Sequence, residues 1–71
     1  MYPNNDRLIL DLSYEIEFDV LCHPEYFPTP QARQDEVEYL RRTRAFRAQA
    51  GFTREQAATA YAIAIARHYA S

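Results

Sequence analysis

Three groups of residues in this chain have types and spacings that bear on chemistry. The first is an acidic series, Asp11, Glu15, Glu17 and Asp19, set between apolar positions. Paired carboxylates can divide acid–base work between them, or they can face a basic partner. The second is a basic series, Arg33, Arg41, Arg44 and Arg47, with Arg42 and Arg54 nearby. On a helix these four span an arc of about 120°, the footprint of an anion-binding face or of a solvated surface that balances nearby acids. The third is Cys22 and His23, with Asp19 and Glu25 close by and His68 remote in sequence. One cysteine and two histidines without regular ligand spacing do not define a metal site. Cys22 and His68 match a nucleophile–base pair only in residue type. The plainer reading makes Cys22 a small apolar residue, His23 a loop residue and His68 a complement to a helix C-terminus. A single glycine rules out a glycine-rich phosphate loop. The expectation is a chain with no enzymatic activity, no metal and no cofactor.

The elements that carry these groups are read from periodicity. Leu10, Leu12, Tyr14, Ile16, Phe18 and Val20 alternate with Asp11, Ser13, Glu15, Glu17 and Asp19. Period two predicts a β-strand over about residues 8–21, with one apolar and one acidic face. The same residues on a helix fall into two apolar sectors, Leu8, Leu12, Ile16 and Val20 on one side and Leu10, Tyr14, Phe18 and Leu21 on the other. Asp11, Glu15 and Asp19 then form a stripe between the sectors. The strand is the preferred reading. With no second strand in the sequence, its backbone groups would be completed by another chain.

Residues 22–29 hold Pro24 and Pro28 and predict a loop that leads into Pro30. Thr29 reads as an N-cap with Pro30 at the first helical position, opening a helix of about residues 30–49. Gly51 reads as its stop. Thr53 and Gln56 have the spacing of a capping box, opening a helix of about residues 53–70. This last segment is apolar nearly all round, which predicts burial. The fold class expected is α+β, an N-terminal strand followed by an αα-hairpin and intertwined as a homodimer. The alternative is an all-α three-helix protein.

Seventy-one residues allow one small domain, and a chain of this size hides only about 60% of its unfolded surface. Yet 48% of the residues are hydrophobic, and one cysteine permits no internal disulfide. Both facts favour self-association. The polar start of the sequence has no secretory pattern, and no run approaches the roughly 20 apolar residues of a membrane span. A cytoplasmic location is expected, without membrane partners. The net charge of −2 hides an asymmetry: residues 1–28 carry six acids against Arg7, and residues 29–71 carry seven arginines against four acids.

Strand, helix, the turn Gly51-Phe52-Thr53 and helix, in that order, resemble the ribbon-helix-helix family of small dimeric regulators. The resemblance implies antiparallel pairing of two N-terminal strands, and a DNA phosphate contact at Thr53 and the N-terminus of the second helix. The chain departs from the family pattern in its proline-containing connection. It departs also in its strand, where Asp11, Ser13, Glu15, Glu17 and Asp19 would face the polyanion and repel it. The function expected is therefore that of a small non-enzymatic regulator acting by protein–protein binding, of the inhibitor or anti-activator type encoded by phages and mobile elements. A DNA-binding repressor or an antitoxin is the alternative. Candidate partner-binding residues are Asp11, Glu15, Glu17, Asp19, Tyr39, Arg41, Arg44 and Arg47. Candidate dimer-core residues are Leu10, Leu12, Tyr14, Ile16, Phe18, Phe46, Tyr61 and Ile65.

Overall fold

The computed structural model describes residues 5–44 and 51–70. Phe46, Arg47 and the expected end of the middle helix near Gln49 lie outside the described residues. Three helices follow one another: α1 (Asn5–Ile16), α2 (Pro30–Thr43) and α3 (Arg54–Tyr69). A π-helical turn, Glu17–Leu21, continues α1. The described residues include no strand, so the N-terminal ribbon, and the α+β class built on it, are corrected to the all-α alternative.

The physical reason lies in the same alternation that suggested a strand. A helix closes its backbone hydrogen bonds within the segment, whereas a lone strand must find a second chain. Side-chain demand is met as well. Leu12, Ile16 and Val20, spaced by four, are 2%, 0% and 0% exposed, while Leu10, Tyr14 and Phe18 turn outward. The apolar positions thus divide between core and surface and do not share one face. Leu21, grouped with the outer sector on a regular helix, is buried. The π turn, in which the Cys22 N–H reaches the Glu17 carbonyl at 2.9 Å, takes in an extra residue and rotates Leu21 back toward the core.

Both remaining helices start on capped ends. The Thr29 hydroxyl accepts from the Ala32 N–H at 3.1 Å, with Pro30 supplying a pre-set φ. At α3 the box is reciprocal: the Gln56 N–H donates to Thr53 Oγ1 at 3.0 Å, and the Thr53 N–H to Gln56 Oε1 at 2.9 Å. Gly51 holds φ at 76° just before that cap, a left-handed conformation that costs a side chain–bearing residue more than glycine.

The core joins Leu12, Ile16, Val20 and Leu21 to Val37 and Leu40 of α2, Phe52 of the connection, and Ala57, Ala60 and Ala64 of α3. Leu8, Ile9, Phe27 and Tyr61 pack around it, half-buried. The principal neighbour of α1 is α3. Three inward-facing alanines let these two helices approach closely, since interaxial distance is set by the side chains between them. α3 is therefore buried on its small-residue side. Ile65, expected in the dimer core, is 37% exposed, and Tyr26 of the proline-containing loop stands in solvent.

Candidate protein-binding surface

Behind the outer edge of α1 lies a cluster that joins the first helix to the last. Arg67 Nε donates to Glu17 Oε1 at 2.6 Å, and His68 Nδ1 lies 3.3 Å from Glu17 Oε2. Arg67 Nη1 donates to Ser13 Oγ at 3.2 Å. Ser13 is wholly buried and in turn donates to the Leu10 carbonyl, the local back-bond open to serine within a helix. The Arg67 guanidinium carbon sits 4.0 Å above the centre of the Tyr14 ring. Arg67 Nη2 is buried without an acceptor, and the π face of Tyr14 beneath the guanidinium supplies compensating attraction. The hydrogen bond from Arg67, followed by that from His68, holds the Glu17 carboxyl below its ordinary range against partial desolvation that pushes the other way.

Serine, histidine and glutamate therefore stand near one another, yet their arrangement is that of a clamp. A nucleophile needs an exposed hydroxyl aligned on its base. Ser13 is enclosed and engaged with Leu10 and Arg67. His68 packs edge-on against the Tyr69 ring at 4.9 Å between centroids. Cys22 is exposed, and its neighbour His23 pairs with Glu25 at 3.2 Å. Among the described residues, no group of three or more histidine, cysteine, aspartate or glutamate side chains could hold a metal ion.

The basic arc is dispersed in the same way. Arg33 donates to the Phe27 carbonyl at 3.1 Å and braces the proline-containing loop. Arg41 pairs with Glu38 and donates to the Phe52 carbonyl at 2.9 Å, tying α2 to the segment before α3. The Glu38 hydrogen bond raises the Arg41 pKa further, and the same bond lowers that of Glu38. Arg44 Nε meets Glu15 Oε2 at 2.9 Å across 29 residues of sequence. Charges expected to face a partner are thus directed at one another: Glu15 with Arg44, Glu17 with Arg67, and Arg41 with Glu38. Arg42 remains exposed on this helix.

What stays outward on α1 is a ridge. Leu10, Tyr14 and Phe18 follow one another at intervals of four, and Phe18 is 61% exposed. Asp11 and Asp19, also exposed, lie beside them. Tyr39, on α2, is half exposed but belongs to a different helix. Of the expected partner-binding residues, the structure leaves Asp11, Asp19 and Tyr39 at the surface and turns Glu15, Glu17, Arg41 and Arg44 to internal work. Of the expected dimer core, Leu12 and Ile16 fill the interior of the protomer itself, Tyr61 flanks it, and Leu10, Tyr14, Phe18 and Ile65 are outside. Sequence reasoning missed the roles of Ser13 and Arg67; partners 50 and 54 residues apart leave no local signal. Among the described residues no helix is long and apolar enough to cross a membrane. No family model, curated protein or solved structure matches the chain.

Proposed function

We propose that this chain is a small, cytoplasmic, non-enzymatic regulator that acts by binding another protein through the Leu10–Tyr14–Phe18 ridge. One observation carries the reading: α1 has already supplied Leu12, Ile16 and Val20 to the core, and still presents three large apolar side chains in a row to solvent. A ridge spaced in this way fits the groove or helix of a partner, with apolar anchors set at helical intervals. Aromatic anchors dominate such interfaces. Asp11 and Asp19 beside the ridge favour a partner with a basic rim, which speeds encounter and sets orientation more than it adds affinity.

The test is comparative capture. Wild-type protein and Phe18→Ala are immobilised in parallel against host extract, and any protein retained by the wild type alone is purified and titrated. Burying the exposed part of Phe18, about 120 Å² of a roughly 200 Å² side chain, corresponds to about 2–3 kcal/mol, or a dissociation constant raised about 30- to 150-fold in the variant. A partner held equally by both proteins, or no partner at all, overturns the reading.

A further inference from the structure

Leu10, Tyr14 and Phe18 belong to α1, yet the side chain that steadies them comes from α3. The Arg67 guanidinium meets successive turns of the first helix. Its Nε donates to Glu17, the residue before Phe18, at 2.6 Å, and its Nη1 donates to Ser13 Oγ at 3.2 Å. Its carbon stands 4.0 Å above the centre of the Tyr14 ring. Ser13 passes the tie on to the Leu10 carbonyl. The geometry points to Arg67 as a positioning residue for the exposed ridge, one that fixes the Tyr14 side chain in a single rotamer before any partner arrives. The inference rests on the ridge being the contact surface.

Two observations separate this role from a plain tie between helices. An arginine that only joined α1 to α3 through Glu17 would turn its remaining N–H groups to water or to acceptors. Arg67 Nη2 is instead buried without an acceptor, and buried donors are rarely left so. The contact that offsets the loss is the Tyr14 ring, whose π face attracts a cation. The second observation is the state of the ring itself. Tyr14 is 43% exposed and lies outside the core cluster, so the apolar interior does not hold it. A side chain at the surface samples several staggered χ1 wells, and freezing them at the moment of docking weakens binding. The guanidinium, anchored by Glu17 and Ser13, freezes them in the free chain.

Nuclear magnetic resonance of the full chain reads the Tyr14 rotamer through the three-bond couplings about χ1. In the wild type these should sit at the limit of one staggered rotamer, and the ring should shift the Arg67 side-chain protons upfield. Arg67→Lys keeps a cation for Glu17 but loses the planar fork. The Tyr14 couplings should then move to the rotamer average, with the helical circular dichroism retained. Ser13→Ala removes the Nη1 acceptor at a buried site that alanine also fits, and should move the couplings part of the way. Arg44→Lys alters the corresponding tie to Glu15 and should leave them alone. Against a protein purified by its dependence on Phe18, Arg67→Lys should raise the dissociation constant about 2- to 12-fold, the effect of ordering one side chain. Wild-type couplings already averaged, or couplings unchanged in Arg67→Lys, overturn the proposal. So does a partner lost on Phe18→Ala but held as tightly by Arg67→Lys; there the surface stands and the positioning role fails. If no protein depends on Phe18, the surface falls and this role with it.

Discussion

Ile16 and Phe18 are two residues apart, and replacing each by alanine separates a helix from a ribbon. On a strand they share one face and should cost the same. In the three-helix structure Ile16 is 0% exposed, in the core with the α3 alanines, while Phe18 projects into solvent. Truncating a buried isoleucine costs about 2–5 kcal/mol. Ala57, Ala60 and Ala64 have no rotamers with which to refill the cavity, so a value of about 3 kcal/mol is the expectation. A domain of 71 residues has a total stability of roughly 4–10 kcal/mol, so this one change removes a large part of it. With an unfolding entropy of roughly 2.1 cal/mol/K per residue, it lowers Tm by about 20 °C. Phe18→Ala should cost less than about 0.5 kcal/mol. The assay is urea unfolding followed by circular dichroism at the helix minimum, at one protein concentration for all variants. Equal losses for the two substitutions would refute the helical assignment of this segment.

Three further outcomes follow from the same packing and electrostatics. Glu17 is held below its ordinary pKa of 4.5 by Arg67 and His68, so its stabilising contribution is complete above that value and fades as the pH falls through the lowered one. Arg67→Gln should therefore flatten part of the acid limb of a plot of unfolding midpoint against pH, and an unchanged limb would show that the clamp contributes nothing. Thr53→Ala removes one half of the α3 capping box and should cost about 1 kcal/mol, read as a shift of the urea midpoint at constant slope. Ala60→Leu forces a larger side chain between α1 and α3 and should cost about 1–3 kcal/mol; thermal unfolding would reveal a neutral result, and with it a looser contact than the buried alanines imply.

The readable parts of this fold were those that depend on near neighbours. Thr29 before Pro30, and Thr53 three residues before Gln56, are capping signals completed within one turn, and both helices begin there. The segment around Leu10–Val20 was not decidable in the same way. A period of two places apolar residues on one side of a strand, but it also places them in two sectors of a helix. The choice depended on what lay opposite. Arg44 for Glu15, Arg67 for Glu17 and the α3 alanines for Ile16 are all distant in sequence, and no local pattern announces them. In α3 the sequence offers the large side chains Tyr61 and Ile65 as core candidates. Tertiary packing chose the smallest ones, Ala57, Ala60 and Ala64, because they permit the closest approach. The arginines were legible as an arc but not as individual tethers, since each acceptor lies on another turn or another element.

The dependence of α1 on α3 has a consequence for how the protein comes into being on the ribosome. The first helix leaves the exit tunnel with Leu12, Ile16 and Val20 bare, and α2 can cover only part of that surface. Shelter arrives when α3 follows and Arg67 reaches back across 50 residues to Glu17. Until then the nascent chain is a greasy helix in search of company, the stage at which a chaperone has something to hold.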